Sequence, residues 1–186
     1  MKVRHLRRAD FSRQPWKNGG GFTTELAIYR QAPPREEGDF VWRLSVAEVQ
    51  TSGAFSDFSG YERTIMLLEG EGMELSFDAR GPERIDTPHR PFVFDGGWKT
   101  SCRLLGGPVR DLNLMARKGR AIARIDVVTP PLQAATARWT LLFPLRGRAR
   151  VGDHEAAPEE LLVLEDAADA IEVIGTGTIA RVRIDL

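Results

Sequence analysis

Apolar and polar residues alternate along much of this chain with a period of two, the pattern of half-buried β-strands. In "FVWRLSVAEV", Trp42, Leu44 and Val46 fall on one face, and Arg43, Ser45 and Ala47 on the other. "FTTELAIY" alternates in the same way. "RTIMLLEGEGMELSF" reads as strand, glycine turn, strand, a hairpin centred on Gly70 and Gly72. "RPFVF", "TSCRLL", "VRDLNLM" and "AIARIDVV" continue the series. After Pro130 and Pro131 it resumes with "RWTLLFPLRGRARV", "ELLVLED", "AIEVI" and "TIARVRIDL". Clusters of Gly, Pro, Asp and Ser separate these runs, and helical periodicity is scarce. The pattern predicts an all-β sandwich or barrel with few or no long helices.

Two breaks organise the series. "QAPPREEGD" (Gln31 to Asp39) reads as a polar loop, and "TPPLQAAT" (Thr129 to Thr136) as a linker between halves. A faint internal repeat supports two related units in tandem. "RTIMLLEGEGMELSF" parallels "RWTLLFPLRGRARV", "RPFVFDGG" parallels "ELLVLEDA", and "VRDLNLM" parallels "IARVRID". The step from Phe94 to Leu114 equals that from Leu164 to Ile184, 20 residues in each case. The expected architecture is two small β-barrels sharing a core: residues 1–128 as the larger half and 129–186 as the smaller.

Composition narrows the setting. With 186 residues the chain is long enough to bury a proper core. Lys and Arg number 26, as do Asp and Glu, so the near-zero net charge argues against a general nucleic-acid or anionic-membrane partner. No apolar run reaches the length that spans a bilayer. The basic N-terminus "MKVRHLRRAD" precedes no apolar segment, so no signal peptide is expected. The single cysteine, Cys102, suits a reducing cytosol, and a cytoplasmic location is expected. Self-association is left open.

Most familiar chemistries find no support. A metal centre needs converging His, Cys or carboxylate ligands. The three histidines, His5, His89 and His154, lie in separate segments without an H-x-H spacing and read as solvated loop residues. No metal and no cofactor are therefore expected. No G-x-S-x-G elbow is present. Cys102 sits in a strand run, where a free cysteine is a small buried hydrophobe. Ser56 and Ser59 in "GAFSDFSG" read as turn residues whose hydroxyls bond nearby backbone.

"PWKNGGGFTTE" (Pro15 to Glu25) is the most unusual stretch. Its three glycines mark a tight turn, a close backbone approach or a ligand site. A P-loop needs its Lys after the last glycine, whereas Lys17 precedes all three. A dinucleotide fingerprint would need a glycine at Thr24, and a strand follows instead of a helix. Polar residues set into apolar strands complete the picture. Arg63 opens a strongly apolar strand, while Asp111 and Asn113 alternate with Leu112 and Leu114 and so share a face. Two readings stay open. Arg63 and Asp111 form a structural ion pair with Asn113 capping a loop, or these residues line a polar pocket in a barrel mouth. In the second case Arg63 and Lys17 favour an anion, because a guanidinium offers a planar fork to carboxylate.

Four stretches, "PWKNGGGFTTEL", "WRLSVAEVQTSGAFSDFSGYERTIMLLEGEGMEL", "PFVFDGG" and "LLGGPVRDLNLMAR", resemble the HutD/Ves family in the expected order, over nearly the whole chain. The resemblance implies a cupin-type double β-barrel (a bicupin, of the RmlC-like jelly-roll type) without the usual metal histidines. It implies a small-carboxylate pocket in the N-terminal barrel, anchored by the arginine after "FSGYE", here Arg63. Trp16, Lys17, Asn18, Asp111 and Asn113 complete the expected ligand-binding set, and no residue is assigned a catalytic role. Some members are encoded with histidine-utilisation genes, and others are described as cold- or stress-induced. For the HutD branch the implied role is to limit histidine breakdown by sensing an intermediate such as urocanate or formylglutamate.

Three functions from different classes therefore stand at this point. The first is a metal-free carboxylate-binding protein that regulates or senses. The second is a metal-independent isomerase or hydrolase of a small histidine-derived acid, with Glu62, Asp111 or Glu48 as general base. The third is an interaction scaffold with a vestigial pocket.

Overall fold

A computed structural model gives the structure of the protein and describes residues 1–31, 39–134, 137–167 and 170–186. Among these the chain is all β, with one 3-10 turn at Arg8–Asp10. No helix is long and apolar enough to cross a membrane. The polar loop expected over Gln31–Asp39 falls, at 32–38, outside the described residues.

Two compact units emerge: Ser12–Arg120, and Met1–Phe11 together with Ala121–Leu186. The boundaries differ from the expected division at 128/129 for a plain reason of pairing. The strand Ile122–Val128 pairs along its length with the end of Ile171–Asp185, and Lys2–Leu6 pairs with Leu161–Glu165. The stretch read as a linker contributes a short strand, Leu132–Ala134, which also pairs with Ile171–Asp185; residues 135–136 lie outside the description.

The first unit contains a six-stranded antiparallel sheet. Its order is Ser12–Pro15, Gly21–Tyr29, Trp42–Val49, Val109–Arg117, Tyr61–Glu69, Pro91–Asp95. A four-stranded sheet runs in the order Gly53–Ala54, Thr100–Leu104, Met73–Phe77, Glu83–Ile85. Val49, Ile65, Leu67 and Val109 of the larger sheet share one core with Met73, Leu75 and Cys102 of the smaller. Fully burying one such aliphatic side chain is worth about 1.5–3 kcal/mol. The opposite face of the larger sheet is buried as well, by Trp42, Leu44, Leu112 and Leu114.

The expected closed barrels are not formed by these hydrogen bonds, because among the described residues the strand order of each sheet does not close on itself. The six-stranded sheet ends in strands carrying Pro15 and Pro91, and proline cannot donate to a further ladder. The second unit is one seven-stranded sheet with the path Lys2–Leu6, Leu161–Glu165, Trp139–Val151, Ile171–Asp185, Ile122–Val128; off this path Leu132–Ala134 pairs with Ile171–Asp185 and His154–Ala156 with Trp139–Val151.

The internal repeat is visible in strand order. Tyr61–Glu69 is flanked by Pro91–Asp95 and Val109–Arg117, just as Trp139–Val151 is flanked by Leu161–Glu165 and Ile171–Asp185. Register does not follow. Phe94 shares a row with Arg63 and Met115, whereas Leu164 shares a row with Thr140 and Arg183. The equal 20-residue step in sequence is therefore not an equal step across the sheets.

Candidate functional site

Antiparallel pairing stacks side chains into rows across one face of the six-stranded sheet. Arg43, Met115, Arg63 and Phe94 form the first row. Glu25, Ser45, Asn113 and Ile65 form the second, and Thr23, Ala47, Asp111 and Leu67 the third. Strict alternation makes this face mixed while Leu44, Val46, Leu112 and Leu114 take the other. Over it lies a cavity of about 510 Å³ in the Ser12–Arg120 unit. All six residues expected from the sequence, Trp16, Lys17, Asn18, Arg63, Asp111 and Asn113, line this one cavity.

The glycine stretch acts as a turn that brings Trp16 to Asn18 to the cavity. Trp16 N–H donates to the Gly21 carbonyl at 2.9 Å, and Gly19 N–H to the Trp16 carbonyl at 3.0 Å. Gly19 has φ of +72°, a left-handed conformation in which glycine is the unstrained choice. At Gly21 a Cβ would stand 2.2 Å from the Glu48 carbonyl oxygen, so only glycine permits that backbone approach. Trp16 Nε1 donates to Thr23 Oγ1 at 2.8 Å, and Asn18 Oδ1 accepts from Gly20 N–H at 3.0 Å. Lys17 and Asn18 are exposed at the rim.

Arg63 is 5% exposed. Its guanidinium lies 5.3, 5.4 and 5.0 Å from the ring centres of Phe55, Phe58 and Phe94, in cation–π range. Its Nε is buried without a hydrogen-bond partner. Burial draws its pKa down to about 10, with Asp111 acting the other way and Arg43 adding to the fall. Asp111 is 0% exposed, and neither carboxylate oxygen has a hydrogen-bond partner among the described residues. Burial pushes Asp111 up to about 7, against the opposing pull of Arg63. The structural ion pair read from sequence is thus absent as a contact. Each charge feels the other, and neither bonds to it.

Contrast with the second unit sharpens this. There Arg181 and Arg183 are ion-paired to Asp126 Oδ2 at 3.1 and 2.8 Å. In the row of Leu164 the central strand of that sheet carries Thr140.

Arg43 joins the site although the sequence reading did not select it. It flanks Met115 on the side opposite Arg63, with Nη2 3.4 Å from Met115 Sδ and its guanidinium 5.3 Å from the Phe58 ring. Its Nε also lacks a partner, and burial lowers its pKa, with Glu25 opposing. The signal was available: Arg43 alternates with Trp42 and Leu44 as Asp111 does with Leu112. The segment 55–58 supplies Phe55 and Phe58 to the wall, anchored by Phe55 N–H to Thr100 and Phe58 N–H to Gly96, both at 2.9 Å. Ser56 lines the cavity, while Ser59 bonds the Asp57 carboxylate at 2.7 Å through backbone and hydroxyl.

The other suggested bases lie elsewhere. Glu62 is exposed on the opposite face of its strand, and Glu48 is bound by Arg13 at 2.9 Å. Neither lines the cavity. Cys102 is buried 3.6 Å from Met73 Sδ, its thiol pushed up to about 12 by burial and then by Asp111. Among the described residues no three or more His, Cys, Asp or Glu side chains gather where they could hold a metal ion.

The chain is similar to several known proteins. A family model described as HutD matches residues 8–180. A protein described as an uncharacterized 21.2 kDa protein in the hutC 3′ region of Pseudomonas putida is 45% identical over 125 residues, 65% of this chain and 62% of that relative. The match therefore spans less than two thirds of that protein's length. Protein Ves of Citrobacter koseri is 34% identical over 139 residues, 74% of this chain and 70% of its own. The structure of HutD from Pseudomonas fluorescens SBW25, from a formate condition, matches with a TM-score of 0.87 at 35% identity, covering 99% of this chain and 98% of that one. At 10% identity, a bacterial pirin from Escherichia coli and a Bacillus subtilis oxalate decarboxylase variant match with TM-scores of 0.69 and 0.65. They show the fold alone, which is cupin-like. With the family model running from residue 8 to 180, this chain belongs to the HutD/Ves family.

Proposed function

We propose that the chain binds a small carboxylate in the cavity of its Ser12–Arg120 unit and serves as a sensor in histidine utilisation. The observation that carries this reading is Arg63: a buried guanidinium with no protein carboxylate in contact among the described residues, facing a cavity. A buried cation without an anion is costly, and a carboxylate entering between Arg63 and Arg43 relieves both. Lys17 at the rim adds a third positive charge. The aromatic wall of Trp16, Phe55 and Phe58 suits a planar acid. The link to histidine breakdown rests on the family and on the hutC-region relative. A ligand of the urocanate or formylglutamate type fits both. A cytoplasmic setting and the absence of a resident metal or cofactor belong to the same reading.

Calorimetric titration of urocanate, formylglutamate and formate tests it. Arg63→Ala should weaken acid binding about ten- to a hundredfold, the worth of a hydrogen bond to a charged group. Arg63→Lys should restore part, since an ammonium lacks the planar fork. Unchanged affinity in a folded Arg63→Ala protein removes Arg63 from the site.

One observation favours a second reading, catalysis. Asp111 sits in the cavity with its pKa near 7, where a general base works best. Isomerisation or hydrolysis of the same acids by purified protein, lost in Asp111→Asn, would establish it.

A further inference from the structure

Among the described residues, six strands end the orders of the three sheets, and five of them make poor templates for a further strand. Ser12–Pro15 and Pro91–Asp95 each carry a proline, which cannot donate to a new ladder. Gly53–Ala54 and Glu83–Ile85 run for only 2 and 3 residues. Lys2–Leu6 bears exposed Lys2 and Arg4 and no carboxylate, so a second copy would meet like charge. Ile122–Val128 has none of these devices. It runs for 7 residues without Pro, Gly or Lys and pairs only with Ile171–Asp185. Ile122 is 68% and Val127 37% exposed on it. We propose that this strand is a dimer edge, through which two copies of the chain pair antiparallel about a twofold axis at Ile125.

The charges on the strand select both the occupant and the register. Arg124 and Asp126, two residues apart, share a face. Arg124 is exposed, without an ion-pair or hydrogen-bond partner among the described residues. Its neighbour across the sheet is Arg183, a like-charge pairing that costs stability. Asp126 gives one oxygen, Oδ2, to Arg181 at 3.1 Å and Arg183 at 2.8 Å, and its Oδ1 accepts nothing among the described residues. With Ile125 opposite Ile125, Arg124 of each copy stands opposite Asp126 of the other. The spare cation then meets the spare oxygen twice in one interface. Ile122 faces Val128 and Ala123 faces Val127, which covers the exposed apolar side chains. The adjacent registers that keep the faces aligned centre on Arg124 or on Asp126, and each sets like charges against one another. Pro130 and Pro131 stop the pairing just beyond the strand. One patch meeting itself in this way is the interface of a twofold dimer. The inference is independent of what the cavity in the Ser12–Arg120 unit binds.

Sedimentation velocity on the full chain, over a dilution series, tests it. Wild type should sediment as a dimer that dissociates on dilution. Arg124→Glu should be a monomer where wild type is a dimer. At dilutions where both are monomers it should melt no lower than wild type, because the new carboxylate faces Arg183. Cysteine trapping reads the register, and Cys102 is buried and does not interfere. Ile125→Cys should form an intermolecular disulfide under mild oxidation. Val127→Cys should not, although position 127 is the more exposed, because its two copies stand four residues out of register, about 13 Å along the strand. Wild type that stays monomeric at every concentration overturns the inference, as does a dimer that survives in Arg124→Glu. A disulfide through Val127→Cys and none through Ile125→Cys overturns it as well.

Discussion

Arg63 and Asp111 are opposite charges buried on one face of one sheet, yet no hydrogen bond joins them. Three phenylalanine rings surround the guanidinium, and the carboxylate stands two rows away. A permanent ion pair would make both residues structural supports. Two unpartnered charges facing a cavity instead lower stability, which fits the binding role proposed above.

Arg63→Met should accordingly leave the fold intact. The substitution keeps much of the length of the stem and removes a guanidinium that lacks a protein anion. We expect a melting temperature within about 2–4 °C of wild type, the shift that 1 kcal/mol makes in a chain of this size, together with loss of acid binding. A fall of more than about 10 °C, matched by Asp111→Leu, would restore the ion-pair account.

Asp111 should impose a pH signature on stability. In the folded protein it holds its proton up to about pH 7, whereas an aspartate in an unfolded chain ionises near 4. Between those values the folded state binds more protons than the unfolded one, so stability falls as pH rises from about 4 to about 7. Asp111→Asn removes this dependence. Its melting temperature should exceed that of wild type at pH 8, and the gap should narrow as pH falls toward 4. A constant gap from pH 4.5 to 8 would show that Asp111 is not the group responsible.

Much of this was legible in the sequence, because alternation alone decides which side chains share a sheet face. Asp111 with Asn113, and Trp42 with Leu44, were placed by it directly. Arg43 was equally readable by the same rule, but an arginine inside a strand draws attention only once its neighbours across the sheet are known. Strand order followed the repeat, whereas register did not, since the two halves pair their strands with different offsets. The unit boundary escaped for a related reason. Nothing local shows that Ile122–Val128 will pair with the distant Ile171–Asp185. The missing contact between Arg63 and Asp111 is a matter of ångströms between rows, and spacing in a sequence carries no such distances.

Cys102 should be chemically silent in the native state. Its thiol is 4% exposed and pushed up to about 12, so almost none is thiolate at pH 8. An aromatic disulfide reagent should label it at the rate of unfolding, and labelling should accelerate with denaturant in step with loss of structure. Rapid stoichiometric labelling of the folded protein would place the thiol at an accessible surface.

The glycines of "PWKNGGGFTTE" should separate by their surroundings. Gly19 needs its left-handed backbone but has open space where a Cβ would go, so Gly19→Ala carries backbone strain alone, about 1–2 kcal/mol. Gly21 faces a clash: its Cβ would meet the Glu48 carbonyl oxygen at 2.2 Å and approach Trp16 Cδ2 at 3.4 Å. The sheet must open there or the Trp16 turn must move, and overpacking of this kind costs about 1–3 kcal/mol, sometimes more. Because Trp16 lines the cavity, the displacement reaches the proposed ligand site. Gly21→Ala should therefore weaken acid binding several-fold beyond its effect on melting, while Gly19→Ala should lower the melting temperature and keep affinity close to wild type. Parallel calorimetric and thermal measurements on the two variants decide it. If both lose affinity in proportion to stability, the turn is only a hairpin and has no part in holding the ligand.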